Sequence, residues 1–200
     1  MHQGYGLTEA SPIVATTALG PTPPRPGSIG RPLPGVTVRL VDEDGADVLA
    51  GDPGELWVRG PNVFAGYWGD PDATRRVLAG GWLHTGDVAV VDEHDDLRLV
   101  DRRTDLILVA GFNVYPAEVE EALRAHPDVQ DAAAHGEPSP RTGETVVAFV
   151  VAAPGRSPDP ADLVAHCGRA LARYKCPTRV EIVEALPRTP AGKLRRRALG

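Results

Sequence analysis

Three short stretches carry residues whose types and spacing could do chemistry. "GYGLTEASP", Gly4 to Pro12, sets Tyr5 between Gly4 and Gly6 and follows with Thr8 and Glu9. Flanking glycines let a backbone turn tightly and approach a ligand, so a tyrosine held between them offers a flat ring for stacking on a base. The Thr8 hydroxyl could bond a phosphate oxygen, and Glu9 could hold Mg²⁺ against it. "GGWLHTGDVA", Gly80 to Ala89, places Asp87 after a flexible Thr85-Gly86 turn and before a strand. A carboxylate accepts two hydrogen bonds, which suits a ribose diol. "TPAGKLRRRAL", Thr189 to Leu199, projects Lys193 from a Pro190-Ala191-Gly192 turn. A lysine on a short rigid turn can present its ammonium to negative charge that builds up in a transition state.

A fourth stretch is "DRRTDLILVAGFNVYPAEVE", Asp101 to Glu120. Its Asp101-Arg102 pair sits where the composition changes, as a hinge and ligand contact would. Gly111 falls in a loop between a strand and a helix, where a ligand could slide past. Each stretch also has an ordinary reading. The first is a strand-turn with an exposed Thr-Glu, the second an aspartate that opens a strand. The third is a solvated tail lysine, and the fourth a surface salt-bridge cluster worth little to stability. His84 reads as a turn residue and not as an acid or base; Trp82 and Leu83 read as core.

The elements that must position these residues are short. Residues 11–35 are rich in Pro and Gly and read as an irregular crossing segment. Strand-like runs follow at Val36 to Val41, Glu55 to Arg59, Val88 to Val91 and Leu97 to Val100. One helix interrupts them, with Asp70 as its N-cap and Pro71 at its first position. The pattern over 1–100 ends in a small antiparallel β subdomain. After a boundary near Asp101 the order is strand, helix, strand, helix, strand. Leu106 to Val109 opens it. A helix then starts at Pro116, with Val119 and Leu123 on one face. Val146 to Ala152 is a continuous apolar strand. A helix capped by Asp159 runs to about Arg173, and Arg179 to Val183 closes the series. The expected class is α+β, with a compact α+β domain over 101–200.

Composition excludes several classes. The chain has 200 residues, 42% of them apolar, so a core can be buried. The 22 glycines and 20 prolines favour turns and short elements over a helical bundle. A formal charge of −6 argues against a nucleic-acid partner, and Arg195 to Arg197 falls short of a basic tract. No run approaches the ~18 apolar residues of a membrane span, and Met1 to Ala10 lacks the pattern of a signal peptide. The expected compartment is therefore the cytoplasm. Cys167 and Cys176 read as reduced thiols, without metal-ligand spacing. A site-like stretch that begins already at Gly4 suggests the tail of a longer protein, because termini fray.

Order and spacing together go further than any one stretch. "YGLTE", "PGELWVRGPNVFAGYW", "GWLHTGDVA", "DRRTDLILVAGFNVYPAEVEEAL" and "LPRTPAGKLRRRAL" stand in the order found in the acyl-adenylate-forming superfamily, which the chain resembles over nearly its whole length. "GFNVYPAEVE" and "ARYKCPT" look most like bacterial medium- or long-chain fatty-acyl-CoA ligases. The resemblance implies ATP, Mg²⁺, CoA and a fatty acid as ligands. It implies that Tyr5 stacks on adenine within a nucleotide site that includes Gly6, that Thr8 contacts the α-phosphate and that Glu9 binds Mg²⁺. Asp87, helped by Arg102, would hold the ribose. Asp101 would be the hinge of a mobile C-terminal domain. Lys193 would bridge carboxylate and α-phosphate, and Gly111 with Phe112 would line the pantetheine tunnel.

The Ser/Thr/Gly-rich phosphate loop of that superfamily is not found in this sequence. The chain is therefore expected to be inactive alone and to need an N-terminal domain as partner. Arg103-Thr104 stands where a basic pair is usual, and the turn "DEHDDL" lacks the usual glycine, so Asp95 or Asp96 must take φ > 0. His135 and Glu137 stand where apolar residues are common, which weakens the burial of a strand there. Two alternatives stay open: another adenylating enzyme, of the aryl-CoA ligase or peptide-synthetase type, and a non-catalytic binding module that keeps the fold.

Overall fold

The computed structural model describes residues 1–20, 23–190 and 192–199, and omits the side chain of Arg197. Ala191, the middle residue of the turn expected before Lys193, therefore lies outside the described residues. The chain divides into two compact units, Met1–Arg103 and Thr104–Gly200.

The first unit contains two sheets. β1 (Gly4–Tyr5), β2 (Ala15–Thr16) and β3 (Arg31–Pro32) form a small antiparallel sheet, the last two strands falling within the segment that composition marked as irregular. β4 (Thr37–Val41), β5 (Gly54–Arg59), α1 (Pro71–Val77), β6 (Leu78–Ala79), β7 (Trp82–Val91) and β8 (Leu97–Arg102) follow. Their strands make a five-stranded antiparallel sheet in which β5 and β8 both pair with β7. Asp70 caps α1 as its sequence predicts, its carboxylate accepting from the Ala73 amide at 2.8 Å. The residues of β5 alternate. Leu56 and Val58 point into a core with Leu40, Leu83, Ala89 and Leu97, whereas Trp57 and Arg59 point away.

That outward face is covered by cation–π contacts. The Arg39 guanidinium lies 5.7 Å from the Trp57 ring and 5.4 Å from Trp82, and Arg59 lies 4.6 Å from Trp82. Trp82 is accordingly half-buried, not core as its sequence context suggested. His84 is not a turn residue either. It sits within β7 and stacks flat on Trp57, with centroids 3.9 Å apart. Its burial pushes the imidazole below its usual pKa.

The turn that joins β7 and β8 resolves the missing glycine. Asp95 takes φ 62. Asp92 organises the turn, its Oδ1 accepting from the amides of His94 at 2.9 Å and Asp96 at 3.0 Å.

The second unit is a mixed sheet with helices on one face. β9 (Ile107–Val109), β10 (Phe112–Val114), α2 (Pro116–Arg124), β11 (Val129–Ser139), β12 (Gly143–Ala152), α3 (Pro160–Ala170) and β13 (Arg179–Ile182) occur in that order. The sheet runs β10-β9-β12-β11, with β13 parallel to β12. Asp159 caps α3 through the Ala161 amide at 2.9 Å, as predicted, and the helix ends at Ala170. β12 is buried on both faces, which explains its unbroken apolar sequence. Val146, Ala148 and Val150 pack with Val119, Leu123 and Leu163 of the helices. Val147 and Phe149 pack instead with Leu186 and Leu199. The chain end thus closes the face that the helices leave open. Cys167 is a free thiol inside the helix-side core, and Cys176 is free and half-buried.

Candidate nucleotide site and its relatives

The register of β7 is what presents Asp87. Glu55 pairs with Val88 and Trp57 with His84, so Thr85, Gly86 and Asp87 together oppose the single residue Leu56. This is a bulge inside a long strand, not the turn before a strand that composition implied. Gly86 takes φ 72, which a side chain would resist. The groups freed by the bulge are bonded again locally. The Thr85 hydroxyl donates to the Leu56 carbonyl at 2.7 Å and accepts from the Asp87 amide at 3.1 Å. The Gly86 amide donates to Glu55 Oε1 at 3.2 Å. On its other side β7 pairs Asp87 with Arg102 directly.

Three sequence-predicted residues meet there. The Tyr5 phenol donates to Asp87 Oδ2 at 2.6 Å, and Arg102 Nε lies 3.5 Å from Oδ1. Tyr5 is only 7% exposed and belongs to the core of its unit. Burial, then the bond to Asp87 and its charge, raises the phenol well above the ordinary tyrosine range, so Tyr5 stays a neutral donor. Asp101 is paired with Val88, and its carboxylate accepts from the Arg102 amide at 2.8 Å.

Gly6 is required for a different reason from the one its sequence suggested. A Cβ there would stand 1.7 Å from the Pro12 carbonyl oxygen, so the close approach is to its own chain. Thr8 and Glu9 lie in a 3₁₀ turn, Thr8–Ala10. Thr8 is exposed and Glu9 half-exposed. Phe64 donates its amide to the Glu9 carbonyl at 2.8 Å, and Asn62 donates to the Ala10 carbonyl at 3.0 Å, so the turn is pinned from behind. Glu9 Oε1 accepts from the Tyr67 phenol at 2.7 Å, and that bond raises the Tyr67 pKa. A single accessible carboxylate beside a hydroxyl fits Mg²⁺, which is usually held by one or two carboxylates together with substrate phosphates. Among the described residues no cluster of three metal-ligating side chains occurs.

Gly111, Phe112 and Lys193 belong to the second unit. Gly111 is not in a strand-to-helix loop. Val109 pairs with Phe112, so Ala110 and Gly111 form a two-residue hairpin turn, both with positive φ, at 52 and 84. Phe112 is 56% exposed and its ring lies 4.8 Å from that of Tyr174. Lys193 is exposed on a tight loop. The Lys193 amide donates to the Thr189 hydroxyl at 3.1 Å, and the Thr189 amide donates to the Lys193 carbonyl at 2.8 Å. Gly192 takes φ 80, and Arg188 donates to its carbonyl at 2.7 Å.

Sequence reasoning gave no site role to Glu55, Tyr67 or Arg103. Nothing local marks them. Their partners lie 31 to 58 residues away in the chain.

Residues 1–68 match the AMP-binding enzyme family, and residues 118–193 match the AMP-binding enzyme C-terminal domain. The chain belongs to the AMP-binding enzyme family. Among its relatives, the long-chain-fatty-acid–CoA ligase of Escherichia coli O157:H7 is 49% identical over 98% of this chain and 35% of that protein. The 2-succinylbenzoate–CoA ligase of Geobacillus kaustophilus is 44% identical over 100% of this chain and 40% of that protein. ATP-bound MatB from Rhodopseudomonas palustris superimposes with a TM-score of 0.93 at 36% identity, over 100% of this chain and 40% of its own. This AMP-binding enzyme sequence thus spans little more than a third of the length of the proteins it matches. Among its described residues no helix is long and apolar enough to cross a membrane.

Proposed function

We infer that this chain carries the C-terminal part of the machinery of an ATP-dependent fatty-acyl-CoA ligase. The first unit is then the end of the large AMP-binding domain, and the second is the mobile C-terminal domain, with Asp101 as hinge. The reaction would be carboxylic acid + ATP + CoA → acyl-CoA + AMP + PPi. In the first half the carboxylate attacks the α-phosphorus and pyrophosphate leaves. In the second the CoA thiolate attacks the acyl carbonyl and AMP leaves.

The observation that carries this reading is the meeting of Tyr5, Asp87 and Arg102, drawn from three separated stretches onto one carboxylate. In this reading Asp87 exchanges part of that bonding for the ribose hydroxyls, and Tyr5 lies against adenine. Gly6 and Thr8 border the phosphates, and Glu9 holds Mg²⁺, which would neutralise charge on them. Lys193 places an ammonium against the charge of the first transition state. Gly111 and Phe112 line the path of the pantetheine arm. The fatty-acid relatives support the acid class. The 2-succinylbenzoate relative supports an aryl-CoA ligase as the second reading.

An ATP–pyrophosphate exchange assay across fatty and aromatic acids tests both. It is run on the chain alone, on the chain with a separately expressed N-terminal portion of the relative from E. coli, and on that pair with Lys193→Ala. Exchange is expected only in the wild-type pair and with fatty acids. Loss of Lys193 should lower it by roughly 10²-fold, the usual cost of one transition-state donor. Exchange that is indifferent to Lys193 would remove its role, and exchange driven by aromatic acids would favour the second reading.

A further inference from the structure

Glu55 is a buried carboxylate in the middle of a sheet, only 8% exposed, where a strand residue would ordinarily be apolar. A charge taken out of water is costly unless it is bonded on all sides. Glu55 meets that condition with two partners of different kinds. Oε1 accepts the Gly86 amide at 3.2 Å, the amide that the bulge removed from the β ladder. Oε2 accepts Arg103 NH1 at 2.8 Å. Arg103 is the last residue of the first unit and directly follows Arg102, the partner of Asp87.

One carboxylate therefore grips both sides of the Asp87 site. Through Gly86 it holds the bulge that aims Asp87. Through Arg103 it holds the end of β8 that brings Arg102 opposite Asp87. The 3.2 Å bond to Glu55 holds the Gly86 amide and so fixes a residue at φ 72 whose alternatives are many.

We propose that Glu55 is a positioning residue for the diol-binding carboxylate of Asp87, with Arg103 as the ion-pair partner that keeps Glu55 aimed at Gly86. The proposal rests on the reading of Asp87 as a ribose ligand. It adds a function for a buried charge that the first-contact residues leave unexplained. Glu55 touches no nucleotide. It acts by holding the bulge in the one shape that offers both oxygens of Asp87 to a pair of neighbouring hydroxyls. A bulge released from Glu55 still carries Asp87, but no longer at a fixed angle, and a bidentate contact loses more from misorientation than a single bond does.

The test reads the diol specifically. The ¹⁵N-labelled chain, wild type, Glu55→Gln, Arg103→Gln and Asp87→Asn, is titrated with AMP and with 2′,3′-dideoxy-AMP, and affinities are taken from amide shifts. Wild type is expected to prefer AMP by about tenfold, the worth of one charge-assisted contact. Glu55→Gln and Arg103→Gln should both bring that ratio close to one, as Asp87→Asn does, while each variant still melts cooperatively. A merely structural role would weaken both ligands alike and leave the ratio unchanged. Arg103 is 55% exposed at its side chain, so its variant folds even should Glu55→Gln not.

A wild-type ratio in both Glu55→Gln and Arg103→Gln, with the ratio lost in Asp87→Asn, overturns the proposal and leaves the ribose reading standing. Loss in Glu55→Gln alone removes Arg103 from the device. A ratio unchanged in Asp87→Asn, or no AMP binding by wild type, overturns the ribose reading and the proposal together.

Discussion

The phenol of Tyr5 donates to Asp87 across 82 residues of chain, and at 2.6 Å this is a short, charge-assisted bond. It ties the small N-terminal sheet to the bulge of β7. Tyr5→Phe should cost about 2 kcal/mol, within the range for hydrogen bonds to a charged group. Chemical denaturation of the two proteins measures this directly. The pH dependence has a definite sign. Folding raises the Tyr5 pKa, so the stability it contributes is present below the unfolded value of about 10 and is lost as pH climbs from there toward the folded value. The stability gap between wild type and Tyr5→Phe should therefore hold from pH 6 to 9 and close above pH 10. A gap that widens above pH 10 would contradict it.

Arg196 fastens the end of the chain to α2. Its Nε and NH2 donate to the two oxygens of Glu120 at 2.9 and 3.0 Å, and NH1 donates to Asp105 at 3.2 Å. Glu120 is 4% exposed and also accepts from the Ala134 amide at 3.0 Å. Arg196→Met should destabilise the second unit by roughly 3 kcal/mol, because it leaves a buried carboxylate with one amide and Arg124 at 3.8 Å. The double variant with Glu120→Gln should recover part of that loss. Melting of the two variants distinguishes this from a surface arginine, whose removal costs less than about 1 kcal/mol.

Ala110 holds φ 52 at the first position of a two-residue hairpin turn that favours asparagine or glycine. Ala110→Asn should raise stability by about 1 kcal/mol, the scale of the left-handed penalty it relieves. An unchanged or lowered melting temperature would show that this turn is not strained. In the reconstituted ligase the same variant asks whether that turn serves thioester formation: exchange with pyrophosphate should stay at wild-type rate whatever happens to the second half-reaction.

Asp92 takes two backbone amides and the Arg98 guanidinium at 3.3 Å. Burial pushes its pKa up, but these donors outweigh it and the carboxyl ends below its usual value. A depressed carboxylate contributes stability above its unfolded pKa of about 3.9, and that contribution is lost as pH falls through the folded value. Asp92→Ala should cost about 1 kcal/mol at pH 7 and less at pH 3. Parallel melts at the two pH values check it.

Local rules carried much of the fold. Asp70 and Asp159 were legible as helix caps because cap and first-position proline are adjacent in sequence, and the same short range narrowed the positive-φ position to Asp95 or Asp96. The five stretches, in their order, also resemble an adenylating enzyme by sequence alone. The chemistry of Tyr5, Glu9, Asp87, Arg102 and Lys193 is written in their side chains and needs no fold to be suspected. What tertiary structure alone decided is how those groups are held. The Thr85–Asp87 bulge, the stacking of His84 on Trp57, the hairpin at Ala110-Gly111 and the double grip of Glu55 all follow from which strands lie side by side. Register is set by packing across tens of residues, and no property of a window of four or five residues encodes it.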